Sequence, residues 1–253
     1  MGKSTKFLFL LISFFILSCD SDNIDETGVE TESKKYIPKT IENSINTVNY
    51  FYDSNDHIKE VRVTYSGSSN IAVKKYTYSG SLITECKCFI DGINDVTENF
   101  IYNSNDILIK SQLTYSDENT GVPGPTSIEE YEYITENEIR VKDTRSDSDK
   151  VGYHKLYLDN GNVIKNSNSD EIYEYDKKNN VEKNIVGFDK LNIIRGHYHV
   201  LFTNSTNNVI KVEDGPGVID YQVFYDYDEN DYPIAIYGIE NGEKGEKTLV
   251  TYY

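Results

Sequence analysis

The residues best suited to metal binding or nucleophilic chemistry are three cysteines and four histidines. Cys86 and Cys88 are two positions apart, so on a β-strand they would share one face. Unpaired thiols, a strained bridge and metal binding are the three alternatives for this pair, although two thiols alone do not complete a tetrahedral site. His197 and His199 have the same spacing, but nothing nearby supplies further ligands. The sequence therefore predicts neither a metal site nor a cofactor.

Two acidic turns look partly like calcium-binding loops. They are Asp53-Ser54-Asn55-Asp56 and Asp228-Glu229-Asn230-Asp231. An EF-hand loop needs twelve residues with a central glycine and a distal glutamate, and both of these features are missing. Turn chemistry alone explains the residues, because Asp and Asn side chains hydrogen-bond nearby backbone amides.

Motifs for catalysis are missing from the sequence. It contains no G-x-S-x-G, no H-E-x-x-H and no glycine-rich phosphate loop. Acidic residues are so abundant that no pair stands out as the two carboxylates of a glycoside hydrolase. We therefore predict no catalytic residues and no enzymatic activity.

The N-terminus has the parts of a secretory signal. Lys3 and Lys6 precede an apolar run from Phe7 to Leu17 that only Ser13 interrupts. This run is too short for a membrane span, which needs about 20 residues. The run leads directly into Ser18-Cys19, so residues 1–18 are predicted to be a signal peptide.

The string Ile16-Leu17-Ser18-Cys19 resembles a lipobox, the cleavage site of the bacterial lipoprotein signal peptidase. The resemblance implies that the thiol of Cys19 receives a diacylglyceryl group and that Cys19 becomes the first residue. An ordinary signal peptide with an incidental cysteine is the alternative. The acidic residues 20–26 resemble the export signal of surface lipoproteins in Bacteroidetes. We therefore expect a lipid anchor in the outer membrane, with exposure on the cell surface as a further expectation.

Residues 19–44 are predicted to be a disordered acidic tether, since residues 20–44 are rich in Asp, Glu, Ser, Thr and Lys and poor in apolar residues. Loss of residues 1–18 removes two lysines and moves the net charge from −17 to −19. Such a chain repels nucleic acid and anionic membrane surfaces. The expected membrane contact is therefore the lipid on Cys19, and no nucleic-acid partner is expected.

The remaining residues, 45–253, have the composition of β-strands. The chain contains 22 Tyr, 10 Phe and no Trp, and it is rich in Val, Ile and Thr. One pattern recurs, in which an aromatic residue, any residue and Tyr precede Asp, Asn or Ser, a polar turn and an aliphatic residue. Copies begin at Tyr50, Tyr76, Phe100, Tyr131, Leu156, Tyr173, Phe202 and Tyr225.

Each copy is predicted to be one β-hairpin. Aromatic residues at i and i+2 point to the same face of a strand. The Asp or Asn that follows opens a turn, and an Asn or Gly about three positions later takes the left-handed conformation that closes it. Since a lone hairpin is marginally stable in water, the hairpins are expected to share one sheet and to bury a continuous aromatic face.

The copies, for example Tyr50-Phe51-Tyr52-Asp53 and Tyr225-Asp226-Tyr227-Asp228, resemble the YD-repeat hairpins of Rhs and teneurin-type proteins. They resemble more closely the short acidic YD-repeat-like lipoproteins of Bacteroidetes, whose function is generally unassigned. The resemblance implies an all-β fold with an extended, twisted antiparallel sheet of repeated hairpins, curled or partly wrapped.

Two segments depart from the repeat. Residues 186–194 lack alternation, and they are predicted to form a long connection with a short helical turn. Residues 248–253 are predicted to form the strand that closes the sheet.

The expected function is that of a non-enzymatic surface module that binds a protein or a glycan. Most tyrosines are expected in the core, while an exposed tyrosine face could stack on sugar rings or anchor a protein. A structural envelope component and a polysaccharide hydrolase are the alternatives.

Overall fold

The computed structural model describes residues 35–117, 119–169, 171–193, 205–215, 217–240 and 243–253. Within these residues the chain forms sixteen strands and one short 3-10 helix, Phe188–Lys190. The strands are β1 Pro38–Glu42, β2 Asn46–Tyr52, β3 Ile58–Tyr65, β4 Ile71–Ser79, β5 Leu82–Ile90, β6 Ile93–Tyr102, β7 Leu108–Ser116, β8 Pro123–Thr135, β9 Glu138–Arg145, β10 Val151–Asp159, β11 Asn162–Asn166, β12 Glu171–Tyr175, β13 Val209–Asp214, β14 Ile219–Tyr227, β15 Pro233–Glu240 and β16 Glu243–Tyr252.

The strands form a closed antiparallel barrel in which each strand pairs with its neighbours in sequence. The final strand β16 pairs with β1, with Val250 opposite Ile41, which confirms that the C-terminal strand closes the sheet. The all-β antiparallel prediction is thus confirmed, whereas a curled or partly wrapped sheet is wrong. The closing strand β1 lies within residues 19–44, so the barrel includes residues that precede position 45.

Alternation along the strands separates the inside of the barrel from the outside. On β3, Ile58, Val61 and Val63 are buried, whereas Lys59 and Arg62 are exposed. Buried side chains from most of the strands join in one apolar cluster. The interior is therefore a packed core, which is what the period-two pattern of the sequence predicts.

The repeated turns share one geometry. In the first copy the backbone amides of Asn55 and His57 donate to Oδ1 of Asp53, at 2.8 and 3.0 Å. Asp56 closes the turn with a φ of 61°. The same two hydrogen bonds and a left-handed Asp recur in the turns that begin at Asn103 and Asp228, in the copies that begin at Phe100 and Tyr225. This confirms that the Asp or Asn side chain opens the turn, whereas Asp takes the left-handed position at which Asn or Gly was expected, because its short polar side chain also tolerates that conformation.

Each repeat spans two antiparallel strands, so the chain returns to the same end of the barrel at every repeat. All these turns therefore lie at one end of the barrel, which we call the Asx-turn end. A register shift beside the second aromatic position of the motif occurs in seven strand pairs at this end, six joined by turns and one, β12 with β13, joined by a longer connection. Such irregularities bend a strand and increase its twist, which helps a sheet to curve and close. The sequence analysis did not predict them.

The copies that begin at Tyr173 and Phe202 do not form two hairpins. Tyr173 lies on β12 and Val209 begins β13, and these two strands pair directly. Residues 202–204 lie outside the described residues. Residues 176–193 and 205–208, which we call the plug, belong to the connection between β12 and β13. The predicted helical turn is confirmed at Phe188–Lys190.

The plug packs against the inner face of the barrel. Val181, Ile185, Phe188, Leu191 and Ile193 are buried in the same apolar cluster as the strands. The φ of Gly187 is +83°, and a Cβ there would lie 2.8 Å from the carbonyl oxygen of Ser81 in the β4–β5 turn. The plug therefore occupies the barrel at the Asx-turn end.

The outer wall carries ion pairs between neighbouring strands. Lys142 lies 2.7 Å from Glu130, and Arg140 lies 2.8 Å from Glu132. Aromatic rings on the wall lie beneath cations, for example Tyr237 with Lys244 Nζ 4.4 Å from its centroid. Among the described residues, no helix is both long enough and apolar enough to cross a membrane.

Candidate functional site

The candidate site lies where the plug meets the inner face of the barrel. The plug is held there by polar contacts with the barrel's turns. The side-chain amide of Asn184 donates to the Tyr232 hydroxyl at 2.7 Å, and that of Asn192 donates to the Gly161 carbonyl at 2.8 Å. The Tyr78 hydroxyl donates to the Val186 carbonyl at 3.0 Å. These bonds fix the plug backbone and so fix the direction of its side chains.

Glu182 is the central residue of the plug. Its side chain is buried, and Oε1 accepts a hydrogen bond of 2.8 Å from the hydroxyl of Tyr50 on β2. Its backbone amide donates to Oδ1 of Asn180 at 2.8 Å. The other carboxylate oxygen, Oε2, is buried and has no hydrogen-bond partner among the described residues. A buried acceptor without a partner costs about 1–3 kcal/mol, so this atom is a natural contact for a ligand that donates a hydrogen bond.

A cavity of about 250 Å³ adjoins Glu182. Its buried walls are Asn180, Glu182, Phe188 and Ser205, and its outer walls are Lys183, Asp189 and Thr206. The cavity therefore connects the barrel interior with the surface. With about 30 Å³ per water molecule, it has room for about eight waters or for one small ligand.

Two further charged residues are buried in the described barrel wall. Lys74 on β4 and Glu98 on β6 lie on either side of β5, where Cys88 is opposite Lys74 and Cys86 is opposite Glu98. The buried charged side chains of the described residues are thus two acids, Glu98 and Glu182, and one base, Lys74.

Burial raises the pKa of both acids. The pKa of Glu182 rises to about 7, because burial outweighs the Tyr50 hydrogen bond and the positive charge of Lys74. The pKa of Glu98 rises to about 8 through burial and the nearby Glu129, against the opposing charge of Lys74. Burial also lowers the pKa of Lys74. Groups that change protonation near neutral pH are concentrated at binding and catalytic sites.

Three of the residues singled out in the sequence, Cys19, His197 and His199, fall outside the described residues. Cys86 and Cys88 are buried on β5 without a disulfide, and burial raises the pKa of the Cys86 thiol to about 12. Such thiols are poor nucleophiles at neutral pH.

The acidic turns serve the backbone, since Oδ1 of Asp53 and Oδ1 of Asp228 each accept two amide hydrogen bonds. Among the described residues, no group of three or more His, Cys, Asp or Glu side chains could hold a metal ion.

Sequence reasoning missed the buried charges, although alternation carried a signal for two of them. Lys74 lies between Ala72 and Tyr76 on the inward face, and Glu98 lies between Val96 and Phe100. A charge at an inward position marks an interior polar site, because buried charges are rare without partners. Glu182 carries no such signal, since the plug has no strand periodicity.

Comparison with known proteins gives distant structural similarities. No protein-family model matches the chain, and no curated protein matches it. A porin-like protein from Bacteroides uniformis ATCC 8492 matches with a TM-score of 0.41 and 12% identity, over 87% of this chain and 99% of that chain. A TcdB2-TccC3 structure matches with a TM-score of 0.35 and 7% identity, over 82% of this chain and 11% of that chain.

Proposed function

We propose that this protein is an outer-membrane lipoprotein, anchored through Cys19, whose barrel is a non-enzymatic module that binds a glycan. The observation that carries the binding proposal is the buried carboxylate of Glu182, a residue that lines a cavity of about 250 Å³ and whose Oε2 has no hydrogen-bond partner among the described residues. The turn geometry shared by three copies supports kinship with YD-repeat hairpins.

The polarity of the barrel supports attachment by lipid. A transmembrane barrel turns an apolar band toward the lipid and keeps its interior polar. Here the interior is an apolar core. The outer wall carries ion pairs such as Lys142 with Glu130, together with exposed apolar side chains such as Ile101 and Leu249. The apolar interior is the reverse of the polar interior of a transmembrane barrel, which favours the lipid on Cys19 as the membrane contact.

The shape of the site favours a sugar over a protein partner. The cavity is recessed and small, whereas a stable protein interface buries about 800 Å² on each side. Its lining combines the ring of Phe188 with the polar side chains of Asn180, Glu182 and Thr206. Sugars present hydroxyl donors and an apolar ring face, which match this combination.

Calorimetric titration of the full-length protein in detergent with a panel of mono- and disaccharides, amino sugars included, tests the proposal. We expect at least one saccharide to bind, and the variant Thr206→Phe to abolish binding by filling the cavity. The control Thr77→Phe places the same bulk on the exposed outer face of β4 and should bind as the wild type does. Failure of every saccharide to bind would refute glycan binding.

Hydrolysis of a glycan is the competing function. Glu182 and Asp189 line the same cavity, and an acid with a raised pKa beside an ionised carboxylate is the arrangement of glycoside hydrolases. However, Asp189 is largely exposed and pairs with Lys190 at 3.2 Å. Incubation of the same samples with oligosaccharides, followed by an assay for new reducing ends, distinguishes the two. We expect binding without cleavage.

A further inference from the structure

The lining of the cavity contains two carboxylates, one at its buried wall and one at its outer wall. Glu182 contributes a buried carboxylate, and Asp189 contributes a second carboxylate at the outer wall. The single lysine of the lining, Lys183, directs its ammonium to Oδ1 of Asn179 at 2.7 Å. The inner part of the site therefore offers an acceptor, Oε2 of Glu182, to a hydrogen-bond donor.

The burial of Glu182 also favours a cation. Its side chain is buried, and one of its carboxylate oxygens, Oε2, has no hydrogen-bond partner among the described residues. An ionised carboxylate in an apolar interior is costly unless it is paired. A positive group of a ligand would stabilise the ionised form of Glu182.

We infer that the cavity selects an amino sugar, whose ammonium group donates a hydrogen bond to Oε2 of Glu182. This inference rests on the proposed glycan binding and names the ligand class of that same site. The Phe188 ring provides an apolar surface for the sugar ring beside the carboxylate. The strongly acidic chain, with a net charge of −17, also attracts cations over neutral molecules.

Ionisation of Glu182 links ligand binding to pH. An ammonium ion favours the ionised carboxylate, so a protonated Glu182 must release its proton on binding. Because the pKa of Glu182 is about 7, we expect affinity to fall as the pH drops from 8 to 5.5. The titratable groups that act on Glu182 from neighbouring elements are Tyr50 and Tyr52 of β2, Lys74 and Tyr76 of β4, and Tyr252 of β16.

The test compares two probes that differ by one amine, 6-amino-6-deoxyglucose and glucose. In calorimetric titrations of the full-length protein at pH 8, we expect the amine to bind at least about tenfold more tightly, as for a charge-assisted hydrogen bond. The variant Glu182→Gln should lose this preference, and Glu98→Gln, which changes the buried acid outside the cavity, should keep it.

A measurement on the wild-type protein tests the inference even if the variants do not fold. Titration at pH 6.5 in two buffers with different ionisation enthalpies should show net release of protons when the amine binds. Equal affinities for the two probes would overturn the inference and leave glycan binding intact. Binding of neither probe, nor of any other saccharide, would overturn both.

Discussion

The hydroxyl of Tyr102 on β6 donates a 2.8 Å hydrogen bond to the backbone carbonyl of Ile83 on β5. The bond thus joins two consecutive repeats. Tyr102 belongs to the copy that begins at Phe100, and Ile83 lies near the start of the second strand in the copy that begins at Tyr76. Equivalent bonds run from Tyr52 to Pro38, Tyr133 to Leu108, Tyr175 to Val163 and Tyr252 to Pro233, at 2.8 to 3.0 Å. In the copy that begins at Tyr225, the first aromatic residue forms a similar bond, from Tyr225 to Val209 at 2.9 Å. These bonds explain why the repeat uses tyrosine where phenylalanine would fill the same space.

Replacement of Tyr102 by Phe should destabilise the barrel by about 1–2 kcal/mol, because a partly buried carbonyl loses its donor. The control Tyr153→Phe removes a hydroxyl from a side chain that is 66% exposed and should change stability by less than about 0.5 kcal/mol. Urea unfolding followed by circular dichroism measures both values. Equal stability of the two variants would show that the inter-repeat bond contributes nothing.

Replacement of Gly187 by Ala should detach the plug from the β4–β5 turn. The new Cβ would lie 2.8 Å from the Ser81 carbonyl oxygen, in a backbone with φ +83°. Gly92 has φ +86° with no heavy atom within 4 Å of its Cβ position. Gly92→Ala therefore carries only the conformational cost of about 1–2 kcal/mol.

We expect Gly187→Ala to lose about 1–3 kcal/mol more than Gly92→Ala, since overpacking adds that amount. Urea unfolding measures both losses, and hydrogen exchange of the Glu182 and Ile185 amides should increase only in the Gly187 variant. Equal losses of stability in the two variants would contradict the close contact between the plug and the β4–β5 turn.

Stability should fall as the pH rises from 5 to 8. The pKa of Glu98 is about 8 in the folded protein, above its value of about 4.3 in an unfolded chain. The folded state therefore holds more protons across this interval, and its stabilisation is lost as the pH rises through the folded pKa. Glu98→Gln should flatten the decline by on the order of 2 kcal/mol, or about 4–8 °C in Tm. Parallel Tm curves for wild type and Glu98→Gln would refute the raised pKa.

Replacement of Cys19 by Ala should prevent lipid attachment. We expect an uncleaved or mislocalised protein that no longer incorporates labelled fatty acid, because the lipidated thiol is missing. Membrane fractionation and radiolabelling measure the two effects. The variant Cys88→Ala removes a buried thiol of β5 and should retain both the label and the location. Normal anchoring of the Cys19 variant would refute the lipoprotein assignment.

Local patterns in the sequence were sufficient to predict most of the hairpins. The motif around Asp53 specifies its own turn, since one side chain satisfies two amides within four residues. Alternation on β3 likewise identifies the inward residues Val61 and Val63, whereas a register shift brings Ile58 to the same face. These features depend on neighbours in sequence, which a single chain displays directly.

Closure of the barrel and the position of the plug depend on contacts between residues that are far apart in the sequence. Ile41 pairs with Val250 across more than 200 positions, and β1 is a five-residue strand next to a polar segment. The bond between Tyr50 and Glu182 spans 132 positions. No local periodicity encodes such pairs, so neither the closed barrel nor the buried carboxylate could be predicted from the repeat.

Pairing of β1 with β16 also protects the protein from aggregation. A sheet that closes on itself presents no row of unpaired amides and carbonyls to another molecule. Loss of the short strand β1 would leave β2 and β16 as two free edges, and each could accept a strand from a second chain. Proteolytic trimming at the N-terminal side of Asn43 would thus convert a closed sheet into one that polymerises through its free strands.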